Sequence, residues 1–495
     1  MRDATTDRRW ALVVAILGSS MAFLDGTVVN VALPVMQREL AIAVDRVQWI
    51  VEAYALLLAS LVLVGGALGD RYGRKRVFLL GVALFAISSA ACGLAPDAAT
   101  LIVARAAQGT GAALLVPGSL ALITGAYDED GRGKAIGTWS AFSAITSAVG
   151  PVAGGWVVEH ASWRWLFFFN APLAAVVAAI AWRRVAEMRD ETAPAHLDWP
   201  GAALAVSGLG VVTFALVDSG RVRGTSLVGG LLAVGAATLI AFVVVEARSR
   251  GPMVPLALFR SRTFTGANLL TLLLYAGLGG AFFFVPFDLI QVQGYSPTAA
   301  GAALLPFVLI LSAMSRWTGG LAARLGSRML LVAGPLVAAG GFALLAVPGT
   351  GGTYWATFFP AIVVLGLGMG ITVAPLTATV MGAVDPRHAG VASGINNAVA
   401  RAAGLLAIAA LGVVLIARFD AALDRELASM ALAQDVLALV QEQRSKLAAA
   451  DVPAALHGAF VGAYLVGFRT VMIASAVLAS LGAACAFLLV ERSTP

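Results

Sequence analysis

A chain of 495 residues that is 60% hydrophobic and only 12% charged, with a mean hydropathy of +0.89, is far more apolar than water-soluble globular proteins. Its formal charge of +6 comes from Lys and Arg scattered through short segments between apolar runs, which excludes the basic patch of a nucleic-acid-binding protein. The two cysteines, Cys92 and Cys485, both fall inside apolar runs as packing residues, so neither a disulfide framework nor a CxxC metal motif is present.

Each apolar run is about 20 residues or longer, enough to cross roughly 30 Å of hydrocarbon as a helix. The runs predict an all-α polytopic membrane protein with fourteen spans, near 10–34, 48–69, 77–95, 99–124, 135–158, 163–182, 199–217, 225–246, 264–291, 297–322, 329–348, 354–380, 390–416 and 461–490. The first run is too long for a signal-peptide core and leads directly into further spans, so it is expected to remain as a span. Lys and Arg crowd alternate loops, for example Arg71, Arg74, Lys75 and Arg76 in one loop and Arg183, Arg184 and Arg189 in another, twenty against five in total. That bias places both termini in the cytoplasm of a cell (inner) membrane protein. The segment 417–460 is the exception, a long outer loop whose spaced Leu, Ala and Val predict amphipathic helices, either a cap over the outer mouth or a substrate gate.

"GALGDRYGRK" (66–75) recurs as "GGLAARLGSR" (319–328), and Gly109/Gly111 and Gly133/Gly137 recur as Gly366/Gly368 and Gly390/Gly394 at nearly the same offset. Span 2 therefore maps onto span 10, which divides the chain into a six-span half (1–183), two inserted spans with charged, proline-containing linkers (184–263), and a second six-span half (264–495). Parallel repeats of this kind belong to transporters with a site near the bilayer midplane.

The motifs carry a specific resemblance. "GALGDRYGRKR" (66–76) and "LIVARAAQGTGAA" (101–113) resemble loop and fourth-span signatures of the major facilitator superfamily. "GTWSAFSAITSAVGPVAGG" (137–155) resembles its antiporter-type fifth-span motif, with Thr146 in place of a glycine. "LDGTVVNVALP" (24–34), "SWRWLFFFNAP" (162–172) and "AGVASGINNAVARAAG" (389–404) are similar to the 14-span drug:proton antiporter branch. The resemblance implies a multidrug-efflux antiporter, a monomer by the family's default, working on small molecules and protons in the bilayer.

The residues have physical readings of their own. In the 66–76 loop, Gly66, Gly69 and Gly73 permit a tight turn and close helix approach, and Asp70 can pair with Arg71, Arg74 or a helix N-terminus to latch one conformation. In span 5, Gly150, Pro151, Gly154 and Gly155 let another backbone approach. Charges inside spans are expensive and face a cavity or a partner. Asp25, Glu52 and Arg105 lie roughly 13, 6 and 9 Å below the outer boundary at 1.5 Å per residue, so they are able to form one proton-coupling cluster. Glu52, so near the boundary, is either a second proton carrier or a carboxylate meeting water. Gln108 shares the face of Arg105. Asp25 and Asn30 are about 140° apart on the helix, so Asp25 faces a cavity while Gly26 and Asn30 face a packed neighbour. Asp25, Asn30, Gln108 and Asp288, the last near the outer end of span 9, are the candidates for lining a substrate cavity. The second repeat has Ile362 where the first has Arg105, which assigns proton coupling to the first half.

No ligand spacing joins His160, His196, His388 and His457, so no metal site is expected. No Walker A sequence is present, which leaves an ion or substrate gradient and no cofactor as the energy source, and the resemblance implies that the ion is the proton. The acidic bias within spans favours lipophilic cations or neutral compounds as cargo. The alternatives are an exporter dedicated to one antibiotic, metabolite or lipid, and, from other classes, a polytopic membrane enzyme, a receptor or a passive channel.

Overall fold

The computed structural model describes residues 4–189, 198–219, 225–249, 252–385, 388–428, 430 and 432–491. Among these residues, fourteen helices are long and apolar enough to cross a membrane. In chain order they are Arg8–Glu39, Val44–Tyr72, Arg74–Leu94, Ala98–Ala126, Gly131–His160, Trp165–Arg184, Trp199–Val217, Ser226–Arg248, Arg262–Val292, Pro297–Ser315, Ser327–Leu345, Tyr354–Gly382, Gly390–Leu427 and Ala454–Leu489, numbered here as spans 1–14. Helices are the expected solution, because hydrocarbon offers nothing to a free N–H or C=O. Their starts are specified locally: Asp97 accepts from Thr100 N at 2.8 Å, and Ser296 caps a helix whose first residue is Pro297.

The segment 417–460 departs from expectation in part. Its first part, through Leu427, continues the helix of span 13, and its last part, from Ala454, begins span 14. Among its described residues, only Gln434–Gln443 and the turn Arg444–Ala449 form separate elements. The charges of Arg418, Asp420 and Asp424 end the apolar run but not the helix, because hydropathy and backbone hydrogen bonding stop at different residues.

The chain forms two compact units: Met1–Val29, Trp49–Val212 and Gly229–Pro255 make the first, and Asn30–Gln48, Thr213–Val228 and Leu256–Pro495 the second. The first has a core of Phe78, Val82 and Phe85 from span 3 against Ala112, Leu115 and Leu122 from span 4, with Met21 and Val177 closing it. In the second, Gln48 Nε2 donates to Ile408 O at 3.2 Å, and Gln37 joins Gln291 Nε2 at 2.9 Å to Lys446 O at 3.3 Å.

The repeat is built into the helix crossings. A Cβ on Gly111 would stand 2.6 Å from Phe85 N in the crossing of spans 3 and 4, and a Cβ on Gly368 would collide with Ala338 N in that of spans 11 and 12. Likewise, a Cβ on Gly109 would collide with Tyr54 O, and one on Gly366 would stand 3.1 Å from Phe307 O. The same backbone approach is thus specified twice by glycine. Gly73 and Gly326 also match, both with positive φ, 114° and 80°. The cation two residues after each glycine seats at the end of a span of its own unit, span 6 for Lys75 and span 14 for Arg328. Lys75 Nζ donates to Trp182 O and Val185 O and lies over the Trp182 ring, and Arg328 donates to Phe487 O and lies over the Phe487 ring.

Candidate functional site

Span 4 carries the centre of the site. Arg105 and Gln108, three residues apart, lie on one face and reach Asp25 of span 1 together. Arg105 Nη1 donates to Asp25 Oδ2 at 2.6 Å, and Gln108 Nε2 donates to Asp25 Oδ1 at 2.9 Å. Arg105 Nη1 also donates to Gln108 Oε1 at 2.8 Å, closing a three-residue ring of hydrogen bonds. The side chains of the ion pair are each 1% exposed. The guanidinium has further partners: Nε donates to Ile50 O at 3.0 Å, and Cζ lies 4.3 Å from the centre of the Tyr54 ring. A buried charge pair persists only when its remaining hydrogen-bonding groups are satisfied in this way.

Span 5 shapes the turn that bears Asp25. A Cβ on Gly150 would collide with Thr27 Oγ1, and one on Gly154 would stand 2.8 Å from Val28 Cγ1. Pro151 and Gly155 are buried beside them. Thr146, the departure from the antiporter-type motif, makes a hydrogen bond of 3.2 Å with Ser20 of span 1. Gly26 is exposed and a Cβ on it would meet nothing within 4 Å, so the packed face expected for it is absent, and Asn30 is half-buried and belongs to the second unit.

Glu52 is not at a wet boundary. It is 0% exposed, and both of its carboxyl oxygens lack a hydrogen-bond partner. The helix of span 2 starts at Val44, before the apolar run, which sets Glu52 two turns inside it. It is not joined to Asp25 and Arg105 by any hydrogen bond or ion pair. Asp288 opens a π-turn, Asp288–Val292, at the end of span 9 and is 1% exposed. Its Oδ2 accepts from Gln293 Nε2 at 3.3 Å, and its Oδ1 has no hydrogen-bond partner. It lies in the second unit, whereas Asp25, Glu52, Arg105 and Gln108 lie in the first.

In the 66–76 turn, Asp70 pairs with Arg74 at 2.9 Å, and Arg71 lies over the Tyr72 ring. Gly73 supplies the positive φ, but Gly66 and Gly69 have ordinary clearance; the close approach is at Gly65, where a Cβ would collide with Ala113 O. Glu187, invisible as a partner in the sequence, accepts from Lys75 N at 3.0 Å and stands 3.6 Å from Arg76 Nε. Sequence reasoning also missed a neutral polar group in the second unit, Asn396 donating to Asn268 Oδ1 at 3.1 Å and Thr271 Oγ1 at 2.7 Å. That unit holds a cavity of about 460 Å³, lined in part by Val44, Asp45, Ile416, Asp420 and Arg444. None of the four cavity candidates from the sequence lines it. Among the described residues no group of three or more His, Cys, Asp or Glu is placed to hold a metal.

The fold is that of a membrane transporter. The family model described as Major Facilitator Superfamily matches residues 15–408, and the chain belongs to that family. The chain is 38% identical over 411 residues to the puromycin resistance protein pur8 of Streptomyces alboniger, covering 82% of each chain. It is 35% identical over 426 residues to the multidrug resistance protein Stp of Mycobacterium tuberculosis, 84% of this chain and 77% of that one. Among solved structures, a bacterial homologue of the human lysosomal transporter Spinster superposes with a TM-score of 0.70 at 18% identity, over 99% of each chain. An auto-inhibited peptide transporter of the POT family gives 0.66 at 16% identity, over 98% of this chain and 97% of that one.

Proposed function

We propose that this chain is a proton-driven exporter of lipophilic cationic or neutral compounds that works by alternating access. The observation that carries it is the sealed Asp25–Arg105–Gln108 ring, the one carboxylate–guanidinium pair among the described residues with both side chains 1% exposed. Protonating Asp25 removes the charge that Arg105 faces, while Arg105 keeps the Ile50 carbonyl and the Tyr54 ring. The carboxyl is then free to part from span 4, and its deprotonation draws span 4 back. That exchange couples a proton to a helix movement. Glu52, buried with no donor, is the second candidate carrier, and Asn30, Gln108 and Asp288 are candidates for contact with cargo. We assign both termini to the cytoplasm of the cell membrane, the six-two-six division to 1–183, 184–263 and 264–495, and a monomeric state. The resistance proteins it resembles support export as the direction.

The test is efflux from inverted vesicles under an imposed pH gradient, wild type against Asp25→Asn. The expected outcome is a loss of gradient-driven efflux of tenfold or more in the variant; equal, uncoupler-insensitive efflux in both overturns the proposal. A second reading, an exporter dedicated to one antibiotic, draws support from relatives named for single compounds, such as the methylenomycin A resistance protein of Streptomyces coelicolor, 38% identical over 408 residues. A panel of lipophilic cations and neutral antibiotics separates the two.

A further inference from the structure

The inserted spans 7 and 8 carry two carboxyl groups that the exchange at Asp25 does not use. Asp198 immediately precedes span 7 and caps it, its Oδ1 accepting from Gly201 N at 2.8 Å. Glu246 lies on the last turn of span 8, and its Oε2 accepts from Val254 N at 3.0 Å, which ties the linker at 252–255 to the helix end. Each group spends one oxygen on the backbone. The other oxygens, Asp198 Oδ2 and Glu246 Oε1, are buried without a hydrogen-bond partner. The residues are 9% and 2% exposed.

The two carboxyls share one space. A Cβ on Gly201 would stand 2.9 Å from Glu246 Oε1 and 3.0 Å from Asp198 Oδ1, so those oxygens are separated by no more than the sum of these distances. Only a residue without a side chain leaves room for both. On span 7, the linker and span 8, the other charged group near in the described sequence is Arg248, whose side chain is exposed. No salt bridge reaches either carboxyl among the described residues. Two carboxylates this close and out of water repel, whereas one proton between them removes a charge and supplies a donor to an orphaned oxygen.

We propose that Asp198 and Glu246 form a proton-binding site of their own, one proton held between the two carboxyl groups, which fastens the 252–255 linker to the ends of the inserted spans while it is occupied. Only the side of the membrane it faces, the cytoplasm, rests on the topology given above. The proton itself is independent of export.

The test is infrared titration of the purified full-length protein across the neutral range, in which a protonated carboxyl absorbs apart from a carboxylate. The expected result is one carboxyl band that titrates in wild type, is lost in both Glu246→Gln and Asp198→Asn, and is retained in Asp25→Asn. Both substitutions keep an oxygen able to accept from Val254 N or Gly201 N, so the local backbone bonds survive; if one variant fails to fold, loss or retention of the band in the other decides. Retention of the band in either folded variant overturns the shared proton, and a band that shifts with sodium at fixed pH overturns it in favour of a metal cation. Fastening is read by trypsin cleavage after Arg248 and Arg250. The rate in wild type relative to Glu246→Gln rises as the band titrates away, and a flat ratio overturns it.

Discussion

Where spans 2 and 4 cross in the first unit, Arg105 lies against the Tyr54 ring and holds Asp25. In the matched crossing of spans 10 and 12 in the second unit, Ile362 is buried in place of Arg105, and Phe307, in place of Tyr54, packs on Phe282 with ring centres 4.7 Å apart. The backbone approach is kept by Gly109 and Gly366 alike. The crossing therefore does not need the ion pair, since the second unit makes it from hydrocarbon. Replacing such buried pairs with apolar groups is often neutral or stabilising, so the comparison supports the proposed proton role of the pair over a purely structural one.

That comparison breaks most visibly at Arg105. Arg105→Ile, which copies the second unit, strands Asp25 as a buried charge and is expected to destabilise the protein by about 3–5 kcal/mol. Adding Asp25→Leu is expected to recover most of the loss while leaving efflux uncoupled. Thermal unfolding in detergent measures both, and a double variant no more stable than the single one contradicts the apolar equivalence of the two crossings. Next in size, Gly111→Ala and Gly368→Ala each press a methyl onto backbone in corresponding crossings, and each should lower stability by about 1–3 kcal/mol. Unequal losses would show that the units tolerate strain differently.

Gly73→Ala and Gly326→Ala force a side chain into positive φ, at about 1–2 kcal/mol each. Gly73→Ala should be the more damaging, since its Cβ would also stand 2.6 Å from Glu187 Oε1. Smallest of all is the helix cap. The Thr100 backbone N–H, and then the Thr100 side chain, hold the Asp97 carboxyl below the usual carboxylate range, whereas Thr353, before span 12, makes no side-chain cap bond. A depressed folded value gives stability that is present above the unfolded carboxylate value and lost as pH falls through the folded one. Asp97→Ala should therefore lower the unfolding midpoint slightly at neutral pH, with the gap to wild type closing below about pH 4. Thr353→Ala should be silent throughout.

Span number and repeat were legible because bilayer thickness fixes helix length and because Gly66–Lys75 and Gly319–Arg328 share a turn. The Asp25–Arg105 pair was legible as an allowed contact, since depth along a helix follows from residue count. The Ile50 carbonyl, the Tyr54 ring and Glu187 were not, because they depend on helix rotation and on where a linker returns. Glu52 was misplaced for a related reason: counting depth from the edge of an apolar run ignores helix that begins earlier. The group of Asn268, Thr271 and Asn396 escaped notice because neutral amides inside a span carry no charge penalty to flag them.

The helix that includes span 13 runs through Ala389–Leu427, 39 residues, or about 58 Å at 1.5 Å per residue, nearly twice the roughly 30 Å of hydrocarbon it crosses. Arg444 braces its far end by pairing with Asp420 at 2.6 Å and Asp424 at 2.5 Å. A stiff mast longer than the hydrocarbon is a natural grip for an antibody fragment on the face away from the buried Phe419 and Leu423. A binder raised against it would give small-particle imaging a fixed landmark, and in intact cells its access alone would report which side of the membrane the mast occupies.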